Sequence, residues 1–279
     1  MSASLSATTK DTGRYEAMFT RLDEKNQGAF VPFVMVGDPD FDTSLAIIRT
    51  LISSGADALE LGIPYSDPIA DGPTIQKASI RALQSNIKVK DCFAIIKQIR
   101  SEFPHIPIGL LLYSNLVLVN GIDDFYQHAQ NAGVDSILIA DVPLREADRF
   151  ITIAQAHEIQ QILLAPPNAS DETLSAIGEK SSGYTYLLGR AGVTGAETEV
   201  ELPAAELVAK LNKYKVAPPL LGFGISNPKQ VAAAIEAGAA GAISGSATVN
   251  IIAKYLDDHD ALHSELGKFV SQMKAATQR

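Results

Sequence analysis

The chain reads as an α/β protein, a single (β/α)8 TIM barrel with an extra N-terminal helix. Three observations predict this. Eight short apolar runs alternate with stretches of helical period along 279 residues. A phrase built on Gly recurs where helices hand over to strands. The first run ends "VGDPD" (36–40), without the GxGxxG fingerprint that a doubly wound open sheet would place there.

Residues 1–13, rich in Ser, Thr and Ala, lack the apolar stretch of a secretory signal and are expected to be a disordered extension. A cytoplasmic location is expected, or a plastid one if that extension is a transit segment. The barrel is expected to occupy 14–279, opening with "RYEAMFTRLDEKNQ" (14–27) as a helix that caps its bottom. The eight runs then follow as "FVPFVMVG" (30–37), "ALELG" (58–62), "IGLLLY" (108–113), "SILIADV" (136–142), "QILLAPP" (161–167), "YTYLLG" (184–189), "PLLGFGI" (219–225) and "GAISGS" (241–246). Most are apolar on both faces, as parallel strands are when helices cover one side and a barrel interior the other.

Between the runs, "TSLAIIRTLISS" (43–54) repeats Leu45, Ile48, Leu51 and Ile52 at the spacing of one buried helical face. Segments 91–103, 123–132, 145–157 and 228–237 read as further helices, and "TVNIIAKYL" with "HSELGKFVSQMKAA" completes the outer ring. The junctions "SSGADALELG", "NAGVDSILIA" and "EAGAAGAISG" each carry a Gly where a helix must stop in a left-handed turn. No Pro-, Gly- or Ser-rich linker divides the sequence, so one domain is expected.

A net charge of −9 leaves no basic stripe for a nucleic-acid backbone, and no apolar run approaches the roughly 20 residues of a membrane span. The lone Cys92 excludes an internal disulfide, and no His or Cys cluster has metal-ligand spacing. No metal, nucleic acid or membrane is expected as a partner.

In a barrel of this class the chemistry sits at the carboxyl ends of the strands. Alternation along "ALELG" turns Ala58, Glu60 and Gly62 toward the barrel axis and Leu59 and Leu61 toward the helices. Desolvation would raise the pKa of an inward Glu60 and suit it to exchanging protons near neutral pH. Asp67 and Asp71 share the following Pro-rich loop, where "DGP" favours a tight turn; at least one of them is expected to be aimed into the site. Gly222, Gly224, Gly245 and Ser246 would bare N–H groups near a helix N-terminus, a seat for a phosphate. "GRAGVTGAETEV" (189–200) reads as a mobile lid or an ordinary surface loop.

The motifs "FVPFVMVGDP", "GADALELGIPYSDPIADGPTIQ", "IPIGLLLYSNL", "GVDSILIADVP", "GYTYLLGRAGVTGAE", "PPLLGFGIS" and "GAAGAISGSA" closely resemble the tryptophan synthase alpha subunit family, in order and from about residue 14 to the end. The resemblance implies a lyase of tryptophan biosynthesis that cleaves indole-3-glycerol phosphate to indole and glyceraldehyde 3-phosphate by retro-aldol chemistry. It implies Glu60 as general acid/base and Asp71 as the partner of the indole N–H. Tyr186 would lie against the substrate. Phe33, Ile75, Leu111 and Tyr113 would seat the indole ring. Gly195, Phe223, Gly224, Gly245 and Ser246 would bind phosphate, with the Thr194 loop closing over the ligand. It further implies a beta subunit as partner, in an alpha2-beta2 tetramer. Pyridoxal phosphate would be held there and no cofactor on this chain.

The chemistry is self-consistent, because protonation at C3 makes indole itself the electron sink and removes the need for a Schiff-base lysine or a metal. Two alternatives stand beside it: a different phosphate-binding barrel, such as an isomerase using Glu60 on a sugar phosphate, and a non-catalytic barrel that activates a partner. The apolar tips of the first and third runs favour a flat apolar substrate over the former. Retention of both carboxylates speaks against the latter.

Overall fold

The computed structural model describes residues 13–189 and 204–279. Nine strands are found among the described residues: β1 (Ala29–Met35), β2 (Leu59–Gly62), β3 (Ile108–Leu112), β4 (Ser136–Ile139), β5 (Gln160–Gln161), β6 (Leu163–Ala165), β7 (Thr185–Leu188), β8 (Pro219–Gly222) and β9 (Gly241–Ser244). Their order in the sheet is β5-β4-β3-β2-β1-β9-β8-β7-β6, and all pairings are parallel. The two ends of that order, β5 and β6, are halves of the single run expected at 161–167. At Ile162 the run changes partners. The Ile162 N–H and the Gln161 side-chain amide both donate to the Ile137 carbonyl, each at 2.9 Å, and beyond them the chain pairs with β7 instead of β4. The eight-unit barrel therefore stands, with its seam inside one strand.

Helices pack outside the sheet where their sequence stripes predict. Phe41–Ser53 begins at Asp40, whose side chain accepts from the Thr43 N–H at 2.9 Å, a cap worth about 1 kcal/mol. It buries Leu45, Ile48 and Leu51, each contributing roughly 2 kcal/mol by removal from water. At the three Gly-bearing junctions the chain takes positive φ, +112° at Gly55, +83° at Gly133 and +91° at Gly238, a conformation open to glycine without strain. The segment expected as one helix at 145–157 is a short 3-10 turn, Leu144–Glu146, followed by the helix Asp148–Ala156. Among the described residues no helix is long and apolar enough to cross a membrane.

The helix Arg14–Glu24 closes the bottom of the barrel, as its sequence predicts. Tyr15, Met18 and Leu22 form one buried cluster with inward-facing Ala29, Val31, Ala58, Leu138, Tyr184, Leu220 and Ile243. Tyr15 hydrogen-bonds Ser136 at 2.9 Å across the interior. Gly109 makes that possible, since a Cβ there would lie 2.9 Å from the Tyr15 hydroxyl and 2.7 Å from Ser136 Oγ. Leu59 and Leu61 instead join the outer core against the helices, so the alternation read from "ALELG" holds. The barrel is packed below, and open space begins one layer up, at Glu60.

Candidate active site

Glu60 sits in the middle of β2 with Phe33 of β1 and Gly109 of β3 beside it in register. It is buried, and the Tyr184 hydroxyl donates to its Oε1 at 3.0 Å. Burial pushes its pKa up to about 8, against a smaller downward pull from that hydrogen bond. At neutral pH the group is mostly protonated and can both give and take a proton.

Above it lies a cavity lined by Glu60, Asp71, Phe33, Ile75, Leu111 and Tyr186 on one side. Phe223, Gly224, Ile225, Ile243, Gly245, Ser246 and Ala247 line the other. Ten residues singled out in the sequence thus share one wall-to-wall site. Its character is apolar with two acids.

The loop after β2 decides which carboxylate belongs to the site. Asp67 is exposed and hydrogen-bonded to its neighbour Ser66, whereas Asp71 is buried and faces the cavity. The tight turn closes at the Asp71 N–H, which donates to the Pro68 carbonyl at 3.1 Å. "DGP" is therefore the start of a helix rather than the turn itself, with Gly72 at its N-cap and Pro73 at its first position. That helix, Pro73–Gln84, grips the loop. Ser79 Oγ accepts from the Tyr65 N–H and donates to the Tyr65 carbonyl, and Gln76 holds the Asp71 carbonyl at 2.7 Å. Lower down, Arg81 forms a two-point ion pair with buried Asp38 after β1, both contacts at 2.7 Å. Burial raises the Asp71 pKa to about 6, opposed by a hydrogen bond from Tyr113. At pH 7 Asp71 is mostly ionised while Glu60 is mostly not.

Tyr113 occupies a different place from the other expected ring-seating residues. Its ring stacks on Tyr65 with centroids 5.4 Å apart, and its hydroxyl accepts from the Ala70 N–H at 3.1 Å. Tyr186 stands edge-on to Phe223, 6.0 Å between centroids. Gly222 leaves room for it, because a Cβ there would lie 2.3 Å from the Tyr186 hydroxyl.

The glycine-rich rim opposite is shaped by the backbone. Phe223 and Gly224 both take positive φ, +63° and +87°, which turns the chain sharply at the tip of β8. A bulky residue in that region is strained, and it borders the cavity. Ser244 Oγ donates to the Ile225 carbonyl at 2.7 Å and fixes this turn against the end of β9. The helix Ser246–Lys254 then starts from Gly245 with no side-chain cap, leaving its first N–H groups facing the cavity rim. At Gly245 an added Cβ would meet Phe33 at an ordinary 3.7 Å, so packing alone does not demand a glycine there. Such a rim suits an anion.

Thr194 and Gly195, with the rest of the segment after residue 189 up to 203, lie outside the described residues. Sequence reasoning passed over Tyr184, Ile225, Ile243 and Ala247. The period-two spacing of Tyr184 and Tyr186 in "YTY" puts both on the inward face, and that signal could have found the first of them.

Comparison with known proteins places this geometry in context. The family model described as tryptophan synthase alpha chain matches residues 19–278. A tryptophan synthase alpha chain of Francisella tularensis subsp. tularensis is 59% identical over 266 residues, covering 95% of this chain and 99% of the relative. One from Aliivibrio fischeri is 58% identical over 266 residues, with the same shares covered, 95% and 99%. Among solved structures, tryptophan synthase subunit alpha from Legionella pneumophila str. Paris aligns with a TM-score of 0.84 at 32% identity, over 95% of this chain and 98% of that one. A tryptophan synthase a2b2 complex from Pyrococcus furiosus, described for its mutual activation, contributes a chain with a TM-score of 0.78 at 34% identity, over 89% and 98%.

Proposed function

Because the chain belongs to the tryptophan synthase alpha chain family, we infer that its cavity is the site of that family's alpha reaction, with Glu60 and Asp71 as the two working acids. The protein is a lyase of tryptophan biosynthesis that cleaves indole-3-glycerol phosphate to indole and glyceraldehyde 3-phosphate. One observation carries the assignment of residues. Two buried carboxylates, neither ion-paired among the described residues, share an apolar cavity whose far rim is an uncapped helix start.

Protonated Glu60 delivers its proton to indole C3, which makes the ring nitrogen cationic. The Glu60 carboxylate so formed then takes the proton of the glycerol hydroxyl next to the ring. As that O–H bond breaks, a C=O forms, the C–C bond to C3 cleaves, and its electrons return to the ring. Ionised Asp71 accepts a hydrogen bond from the indole N–H and stabilises the positive charge that builds there. Phe33, Ile75, Leu111 and Tyr186 hold the flat ring in place. Phe223, Gly224, Gly245 and Ser246 hold the phosphate with backbone N–H groups and the dipole of the helix Ser246–Lys254. Thr194 and Gly195 are proposed to complete the enclosure.

The partner proposed is a tryptophan synthase beta subunit, in an alpha2-beta2 tetramer, with pyridoxal phosphate on the beta subunit alone. Three exposed apolar side chains on the segments after β2 and β3 support a docking face. Ile69 is 77% exposed on the loop that ends in Asp71, and Leu118 and Val119, 40% and 75% exposed, end the short helix Ser114–Leu118 that follows β3. Incubation of the purified chain with indole-3-glycerol phosphate, with and without a beta subunit, tests both readings. Indole should form in each case, and faster with the partner. No indole in either case sinks the assignment, and an unchanged rate sinks the coupling.

A further inference from the structure

The glycine-rich turn after β8 is a span of two peptides hung between two fixed ones. At its near end the Gly222 carbonyl accepts from the Gly189 N–H at 3.0 Å. At its far end the peptide joining Ile225 to Ser226 is held at both of its polar ends. Its carbonyl accepts from Ser244 Oγ at 2.7 Å, and its N–H donates to Gln230 Oε1 at 2.8 Å. Gln230 is itself seated in the first turn of the helix Pro228–Glu236, where its backbone N–H donates to the capping side chain of Asn227 at 3.1 Å. The two peptides between these anchors carry the N–H groups of Gly224 and Ile225. Both residues border the cavity, and among the described residues neither N–H has a hydrogen-bond acceptor.

We propose that Ser244 and Gln230 are positioning residues that clamp the Ile225–Ser226 peptide and so aim the Gly224 and Ile225 N–H groups at the substrate's phosphate. This rests on the reading above, in which the rim seats that group. A turn of this kind needs a clamp. Phe223 and Gly224 sit at φ +63° and +87°. Turns of types I and II differ mainly in the rotation of one peptide, which glycine permits at little cost. Such a rotation would carry an N–H away from the cavity and present a carbonyl oxygen to an anion. With the Ile225 carbonyl and the Ser226 N–H both engaged, the peptide cannot turn without breaking two hydrogen bonds, and the one to Ser244 is buried. Ser244 also joins the two halves of the rim. Its side chain reaches the turn after β8, while its own carbonyl accepts from Thr248 Oγ1 at 2.9 Å in the first turn of the helix Ser246–Lys254. Ser244 and Thr248 are fully buried and do not line the cavity, so they act on a ligand through the backbone alone.

Ser244→Ala and Gln230→Met test this, because each removes one of the two pins and leaves the cavity lining unaltered. By titration calorimetry each should weaken glycerol 3-phosphate by about 5-fold, the scale of one ordinary hydrogen bond. Affinity for indole, which carries no phosphate, should change by less than about 2-fold in the same variants. With indole-3-glycerol phosphate, KM should rise by about 5-fold while kcat is nearly kept, the signature of binding lost equally from ground and transition states. In the double variant the loss should stay below about 10-fold rather than multiply to about 25-fold, because losing either pin frees the same peptide. An unchanged glycerol 3-phosphate affinity in either single variant would overturn the proposal. An equal loss for indole would do the same, since it would report a general loosening of the barrel, and so would a double variant at the full product. Should Ser244→Ala not fold, Gln230→Met at its half-buried helical position decides the matter alone. An unaltered chain that binds no glycerol 3-phosphate is a different result, and it would strike the reading of the rim as the phosphate seat instead.

Discussion

The two ends of the barrel treat buried carboxylates in opposite ways. At the bottom, Asp57 accepts from the Phe30 N–H at 2.9 Å and meets Lys274 at 2.8 Å and Arg21 at 3.6 Å. Asp135, also at the bottom, accepts from the Ile108 N–H and pairs with both Arg14 and Arg100, each contact at 2.7 Å. At the top, among the described residues, neither Glu60 nor Asp71 forms an ion pair, and Glu60 has the Tyr184 hydroxyl in its place. A neutral donor satisfies a lone pair without neutralising the charge, so burial wins and both pKa values rise. The bottom uses acids to fasten elements together, and the top leaves two acids beside the cavity without a cationic partner among the described residues. Asp38 shows that position on the top face alone does not decide this. It lies after β1, away from the cavity, and is fully paired with Arg81.

This contrast can be broken most sharply at Glu60. Glu60→Gln preserves shape and the acceptor for Tyr184 but removes the exchangeable proton, so indole formation should fall by a factor on the order of 10³ while binding of a substrate analogue persists. Near-normal turnover would falsify the role. At the bottom, Asp135→Ala should leave substrate affinity intact and lower the unfolding free energy by about 3 kcal/mol, because two arginines lose their shared partner. Denaturant melts of the two variants side by side decide it, and a stable Asp135→Ala chain with impaired cleavage would reverse the proposed division of labour. Third in size, Asp71→Asn should slow cleavage by roughly 100-fold, less than Glu60→Gln because an amide can still lie beside the indole nitrogen. An unchanged rate would assign Asp71 to the loop alone.

How much of this was legible in the sequence depends on what kind of contact fixes each residue. Strand alternation is a local property, so the inward aim of Glu60 and the outward aim of Leu59 and Leu61 could be read from five letters. The glycine-bearing helix stops at Gly55, Gly133 and Gly238 were legible for the same reason. The choice between Asp67 and Asp71 was not, because it depends on where the turn beginning at Pro68 closes and on Tyr113, over forty residues away. The same distance hides the place of Tyr113, expected with the ring-seating residues and found stacked on Tyr65 with its hydroxyl on the Ala70 N–H. The break at Ile162 is equally silent, since "QILLAPP" reads as one continuous strand and only the two facing neighbours, β4 and β7, divide it. Resemblance to a family supplied roles for residues that local physics could only place.

An effect on stability alone follows from the cost of leaving Glu60 unpaired. In the unfolded chain Glu60 releases its proton near the ordinary value of 4.5, whereas in the folded chain burial delays release until about pH 8. Between those values the native state holds a proton that the unfolded state has lost, so stability falls as pH rises through that window and is flat above it. Glu60→Gln has no such proton and should escape the decline. At pH 5 the two chains should melt at similar temperatures. By pH 8 the variant should be the more stable by up to roughly 4 kcal/mol, at about 1.4 kcal/mol for each pH unit between the two values. The test is a pair of thermal melts across that range, read as a difference. Parallel curves would mean that Glu60 is neutralised in solution by a group that the described residues do not include. A variant that escapes the decline with pH while losing cleavage would show that the same unpaired acid weakens the fold and performs the chemistry.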